Sequence, residues 1–308
     1  MTAAAATAAY EYEYFKVTFP AEYVALVVID RPEKLNAFLE VMWLNLRQIF
    51  RQLSHDPDVR CVVLTGAGDR AFTAGLDVQA AAADGAITGA GRGDVARAAA
   101  KIRRHILEFQ DCITAIEKCE KPVITVLHGI SYGLALDISL ASDIRLCTSG
   151  TRFSIKEVDI GLAADIGTLS RLPNSGLPLS WIKDVCLTAR EFNGQEAIAV
   201  GLVSGCFENK EVAVEKAVGM ARVIGRKSPV AVQGTKEVIN YSRGRTVEEG
   251  EFPRRPDLVS LVWSEKCDSR TTGLNYVAVW NAAMLQTKDV KDAMLAGLQK
   301  RKPTFEKL

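Results

Sequence analysis

Short apolar runs open the chain at residues 14–19 (YFKVTF) and 23–30 (YVALVVID), and each predicts a strand. Pro20-Ala21-Glu22 separates them, and Arg31-Pro32 closes the second, because proline cannot donate to a central ladder. Over 39–53 (LEVMWLNLRQIFRQL) the apolar positions change to helical spacing, and Asp56-Pro57 breaks the helix. Continuous apolar runs return at 61–66 (CVVLTG) and 122–129 (PVITVLHG), as buried strands require. Between them the pattern predicts an Ala/Gly-rich loop over 80–93 and a helix near 95–119. After Gly133 comes a helix carrying Asp137, then a strand at 143–148 (DIRLCT), then residues 152–155 leading to Glu157.

Strand and helix patterns thus alternate to about residue 210, which predicts an α/β core. Beyond it the pattern is helical over 211–227, 229–242 and 274–300, with an exposed loop at 250–272 rich in Arg and Pro. The expected organisation is a disordered N-terminus over 1–13, a core over 14–210 that carries the active site, and a helical region over 211–308 with an insert near 251–272.

Composition narrows the function classes. Of 308 residues 48% are hydrophobic, enough for a large core, and 38 basic side chains balance 37 acidic ones. That balance argues against a general nucleic-acid or membrane-surface binder, and no run of 18 apolar residues suggests a membrane span. Cysteines 61, 112, 119, 147, 186, 206 and 267 form no CxxC pair and read as reduced intracellular thiols. The segment before Lys16 lacks Arg and Lys, so it reads as neither a secretory signal nor a typical mitochondrial presequence. The C-terminal Glu306-Lys307-Leu308 matches the last two positions of the peroxisomal S-K-L address, and reads equally as an ordinary charged tail.

Three acids stand out because they interrupt apolar sequence: Asp137 in GLALDISLAS, then Glu157 and Asp165 in FSIKEVDIGLAADIG. Carboxylates in apolar clefts have raised pKa values and can move protons near neutral pH. Glu157 is open to a cleft role or to pairing with Lys156 or Arg152, and Asp165 to a cleft role or to capping the segment from Gly167. Asp143 reads as a cap or turn residue and Asp159 as structural. Two Gly turns, Ala74-Gly75-Leu76-Asp77 and Gly133-Leu134-Ala135, follow buried strands and can present free N–H groups to an oxyanion.

Other motifs fail on context. Gly66-Ala-Gly68-Asp-Arg-Ala71 matches a dinucleotide fingerprint, but Phe72-Thr-Ala-Gly75 breaks the helix that motif needs. His55 and His105 lack metal-pair spacing, His128 reads as a strand-end residue satisfied by backbone, and no GxSxG elbow exists.

Taken in order, RPEKLNAF (31–38), AFTAGLDV (71–78), KPVITVLHGISYGLALD (121–137), ASDIRLCT (141–148), FSIKEVDIGLAADIGTLSRLP (153–173) and SPVAVQGTKEVINYSR (228–243) resemble the crotonase (enoyl-CoA hydratase/isomerase) superfamily. The resemblance implies a crotonase-like spiral of repeated ββα units and a C-terminal helical region that builds a homotrimer or hexamer. It is closest to the dienoyl-CoA isomerase branch, which carries Asp, Glu and Asp where this chain has Asp137, Glu157 and Asp165. Hydratases carry Glu at the first two positions and a small residue at the third. The implied activity is isomerisation of a 3,5-dienoyl-CoA to the 2,4-isomer. Glu157 and Asp165 would shuttle the proton, Asp137 would support them, and the N–H groups of Leu76 and Leu134 would hold the thioester oxygen.

By the same resemblance CoA lies along Lys34, Leu35 and Ala37, with adenine near Ala74 and Asp77; Gly75 and Val78 belong to the same substrate-binding set, and Lys300 reads equally as a phosphate contact or a solvated helix-end lysine. No metal or redox cofactor is implied. Leu134 replaces a usual glycine, and its Cβ narrows the backbone's freedom and can crowd the acyl chain. The alternatives are an enoyl-CoA hydratase, a delta(3)-delta(2)-enoyl-CoA isomerase, or a non-enzymatic RNA-binding protein of the same fold. The last should show a basic stripe, whereas the net charge is +1. The compartment implied is the peroxisome, or else the mitochondrion or cytoplasm.

Overall fold

The structure, a computed structural model, describes residues 10–83, 94–243, 280–299 and 301–308. The chain divides into two compact units, Met1–Gly225 and Arg226–Leu308.

Among the described residues of the first unit, ten strands make two sheets. The larger has the order β1 (Phe15–Ala21), β2 (Tyr23–Ile29), β3 (Val59–Gly66), β5 (Val123–Leu127), β7 (Ile144–Thr148) and β10 (Gly205–Phe207). Only β1 runs antiparallel to its neighbour; the other pairs are parallel. The smaller sheet orders β4 (Ala71–Thr73), β6 (Ile130–Tyr132), β8 (Arg152–Ser154) and β9 (Phe192–Asn193). Each of β3, β5 and β7 is followed by a short strand that joins the smaller sheet. Helices come after these ββ steps, giving the expected ββα repeat. Helices α1 (Glu40–His55), α2 (Val78–Ala83), α3 (Val95–Glu117), α4 (Leu134–Leu140), α5 (Thr168–Arg171), α6 (Leu179–Thr188), α7 (Gly194–Val200) and α8 (Lys210–Gly225) complete the unit.

Burial follows sequence periodicity. In β1 Phe15 and Val17 point inward while Lys16 and Thr18 face solvent, and every residue of β3 is buried between layers. Helix α1 buries Met42, Leu46, Ile49, Phe50 and Leu53 on one face, and its Trp43 stacks on Phe109 of α3 at 3.9 Å between ring centroids. On the sheet's other face α8 presents Ala213, Ala217 and Ala221, small residues four apart that let the helix lie close to Val24, Val63 and Ile124.

Several boundaries differ from expectation. Pro20 continues β1 instead of ending it, since β1 is an edge strand whose register shifts between Thr18 and Ala21. The run at 122–129 divides at Gly129, where φ is +52° and a Cβ would collide with the Arg70 carbonyl, so the chain changes sheets there. The loop expected over 80–93 begins inside α2; residues 84–93 lie outside the described residues.

In the second unit α9 (Pro229–Ser242) starts at a Ser228 cap whose Oγ accepts from the Ala231 N–H at 3.2 Å, and α10 spans Lys288–Leu298. Helix was expected without interruption over 274–300. Instead residues 280–284 are helical and a turn at 285–287 precedes α10, where Thr287 Oγ1 accepts from the Asp289 N–H. The insert at 251–272, with Cys267, and Lys300 lie outside the described residues, as does most of the expected N-terminal tail.

Candidate active site

Two turns meet at the heart of the first unit. Strand β6 ends at Tyr132, and Gly133, with φ +51°, swings the chain straight into α4 while its N–H donates to Ser154 O at 2.9 Å. Leu134 is therefore the first helical residue, with a free leading N–H. Opposite, the turn after β4 carries Gly75 at φ +99°. A Cβ built there would lie 3.2 Å from Tyr132 O and 3.8 Å from the Leu134 nitrogen. Phe38 bridges this second turn: its N–H donates to Gly75 O and its carbonyl accepts from Asp77, skipping Leu76. Among the described residues neither the Leu76 nor the Leu134 N–H has a hydrogen-bond acceptor. Leu134 carries no positive φ and buries its side chain in the core, so the backbone constraint falls on Gly133.

Glu157 opens the 3-10 turn that follows β8. Its Oε1 lies over Gly133, 3.0 Å from where a Cβ would stand, and its buried Oε2 has no hydrogen-bond partner among the described residues. Pairing with Arg152 or Lys156 does not occur, because Arg152 grips Glu191 and Lys156 reaches Asp159. Burial, then repulsion from Asp137 and Asp165, pushes the Glu157 carboxyl up to about 7.

Asp137, on α4, is the most enclosed of the three. Its Oδ1 accepts from the Thr168 N–H at 2.6 Å and the Thr168 hydroxyl at 2.7 Å, so Asp137 caps α5. Burial raises its carboxyl to about 6 against the lowering effect of those bonds and of Arg171. Asp165 does not supply the cap that its position suggested. It sits at the exposed end of the trio, where Gln110 Nε2 donates to its backbone carbonyl at 2.5 Å. The burial it retains raises its carboxyl, opposed by its own backbone and by His105. The sequence places three acids in apolar surroundings; the structure makes one buried, one half-buried and one open.

The expected CoA-contact residues form one edge. Leu35 and Asn36 take left-handed conformations at φ +53° and +54°, and the Ala74 N–H donates to Leu35 O at 3.0 Å, drawing 34–37 against 74–78. Lys34 and Val78 are exposed here and Ala37 is buried. The Asp77 carboxylate is engaged within the chain: Arg31 Nη1 donates to Oδ2 at 2.9 Å and the Ala80 N–H to Oδ1 at 3.2 Å, holding its carboxyl below the usual range.

Sequence reasoning missed Arg31, Asn36, Thr168 and Arg171. Asn36 is fully buried; its Nδ2 donates to the carbonyls of Ala67 and Ala71 and its Oδ1 accepts from the Arg31 N–H. An amide flanked by Leu35 and by Ala37-Phe38 was the available signal. His128 stays away from the trio: Nε2 contacts Gly68 O at 2.9 Å and burial draws the ring down to about 4. Asp143, read from the sequence as a cap or turn residue, accepts from the Val123 N–H at 2.7 Å. After β3 the chain enters β4, so Gly66–Ala71 is a turn and the dinucleotide motif has no helix. Among the described residues no three His, Cys, Asp or Glu side chains gather as a metal site.

Residues 21–252 match the enoyl-CoA hydratase/isomerase family model. A mitochondrial delta(3,5)-delta(2,4)-dienoyl-CoA isomerase of Rattus norvegicus is 40% identical over 302 residues, covering 97% of this chain and 84% of that protein. A peroxisomal delta(3,5)-delta(2,4)-dienoyl-CoA isomerase of Arabidopsis thaliana is 39% identical, covering 92% of each. Among solved structures, an enoyl-CoA hydratase of Bacillus anthracis superposes with a TM-score of 0.77 at 24% identity, over 96% of this chain and 99% of that one.

Proposed function

The chain belongs to the enoyl-CoA hydratase/isomerase family, and from that premise we propose that it isomerises 3,5-dienoyl-CoA to 2,4-dienoyl-CoA in the oxidation of unsaturated fatty acids. The observation that carries this reading is Glu157: a carboxyl poised at about 7, electrostatically coupled to two further acids and lying against the Gly133 turn, which leads into the free Leu134 N–H.

A proton beside a thioester is too weakly acidic for an unaided carboxylate. The N–H groups of Leu76 and Leu134 take the developing charge on the thioester oxygen, and losing one such donor costs roughly 100- to 1,000-fold in rate. In a conjugated 3,5-diene that charge extends from C2 to C6. One carboxylate removes the C2 proton and the other delivers a proton at C6, so the double bonds move to C2=C3 and C4=C5 with no atom gained or lost. Glu157 and Asp165 form this shuttle. Asp137 holds the Thr168 turn and raises Glu157's proton affinity.

Relatives carrying the isomerase name support the activity; Asp165 as the acid that separates it from hydration is part of the proposal. The acyl-CoA lies along 34–37 and 74–78, and no step calls for a metal or redox group. A homotrimer or hexamer is part of the proposal, tested by sedimentation. Relatives bear both mitochondrial and peroxisomal names; the finer proposal, the peroxisome, is tested by imaging the chain with its last three residues free and masked.

The deciding assay mixes purified protein with 3,5-dienoyl-CoA and follows the ultraviolet absorbance of the 2,4-product. No conversion, beside rapid hydration of crotonyl-CoA, replaces the isomerase reading with a hydratase.

A further inference from the structure

Arg171 lies outside the proton path, yet only 11% of its side chain is exposed. Its Nε and Nη2 donate to one oxygen of Glu117 at 3.1 and 2.9 Å, and Nη2 also donates to Thr114 Oγ1 at 3.1 Å. Both partners belong to α3. The remaining nitrogen, Nη1, faces Gly167 so closely that any Cβ there would overlap it, and Gly167 sits at φ +154°. The same Cβ position is 3.8 Å from Asp137 Oδ1. Gly167 stands two residues after Asp165 and immediately before Thr168, whose N–H and hydroxyl both bind Asp137. Helix α3 grips the other side of the turn through Gln110 and Asp165 O.

We propose that Arg171 is a positioning residue: anchored to α3 by Glu117 and Thr114, its guanidinium braces the Gly167 turn and fixes Asp165 relative to Asp137 and Glu157. The inference rests on the isomerase reading above. In that reaction a proton leaves C2 and another arrives at C6, so the spacing of the two carboxylates must match the diene. A misplacement of about 1 Å in such a site costs roughly 100-fold. A lysine keeps the charge but lacks the fork that holds Glu117 and Thr114 while facing the turn.

The charged groups that bear on this turn are Glu117 and His105 from α3, Asp137 from α4, Asp165 before α5, and Glu157. Arg171 lowers the proton affinity of Asp137, so its loss moves Asp137 upward.

The test compares Arg171→Lys, Arg171→Met and the milder Glu117→Gln with wild type, measuring kcat and KM on 3,5-dienoyl-CoA across pH, with melting temperatures. Arg171→Lys should lower kcat roughly 10- to 100-fold with KM within about twofold and the Glu157 limb of the pH profile in place. Arg171→Met should lose as much and shift the Glu157 limb to lower pH, because an Asp137 that keeps its proton to higher pH no longer raises Glu157. Glu117→Gln should lose several-fold, and carries the test with Arg171→Lys if the Met variant does not fold. A purely structural role would lower melting temperatures and leave kcat and the Glu157 limb unchanged. Wild-type kcat in Arg171→Lys and Glu117→Gln overturns the inference alone; a wild type inert on the diene overturns the isomerase reading and this inference with it.

Discussion

Replacing Glu157 by glutamine should make the protein inactive and more stable at once. The folded carboxyl titrates at about 7 against an ordinary 4.5. Between those values the folded chain holds a proton that the unfolded chain has released, so wild-type stability falls as pH rises through the window. At ~1.4 kcal/mol per pH unit, the span is worth about 3 kcal/mol above pH 7. Glutamine resembles the protonated acid in shape and cannot ionise, so Glu157→Gln escapes that loss. By pH 8 it should melt roughly 5 °C above wild type, and the gap should close as pH falls to about 4.5. Turnover of 3,5-dienoyl-CoA should drop by about 1,000-fold, while wild-type kcat/KM should bend near pH 7, rising through it with Glu157 as the base at C2 and falling with Glu157 as the acid at C6. Thermal melts at several pH values and the ultraviolet assay check both halves. A variant that melts no higher than wild type at pH 8, or a gap that persists at low pH, would refute the burial argument for Glu157.

Asp165→Asn should nearly abolish isomerisation yet melt with wild type, because its side chain is exposed and caps nothing; retained turnover would reduce Asp165 to a loop residue. Gly133→Ala should destabilise by about 1–3 kcal/mol and lower kcat, since φ is +51° and the new Cβ would press on Glu157 Oε1; denaturant melts and single-turnover rates test it. Arg31→Met leaves Asp77 without its partner in a site where 11% and 13% of the two side chains are exposed. It should cost on the order of 3 kcal/mol and raise KM for acyl-CoA more than it lowers kcat, measurable by calorimetry and steady-state kinetics.

Local signals carried the strands and long helices, because β2, β3 and α1 each show their burial in the spacing of their own apolar residues. They failed where a neighbour decides. Pro20 looks like a terminator until β1 proves to be an edge, and Thr287 interrupts a helical pattern by accepting a backbone N–H itself. The acids were legible as a cluster, but their division of labour was not. Asp137 is committed to Thr168, 31 residues on, and Asp165 is left open by the same turn. Arg31 with Asp77 and Arg171 with Glu117 lie 46 and 54 residues apart, separations at which no pattern of periodicity speaks.

The free N–H groups of Leu76 and Leu134 belong to the main chain, and this has a consequence for how the site records mutation. A side-chain scan would report both leucines as ordinary packing positions, since every residue but proline keeps the donor. On the proposed reading, sequence drift at 134 is almost silent for catalysis, so a leucine can stand where the family resemblance implies a glycine. Half of the proposed machinery is invisible to genetics, and becomes visible only to chemistry that edits the backbone itself, such as an amide-to-ester exchange at that bond.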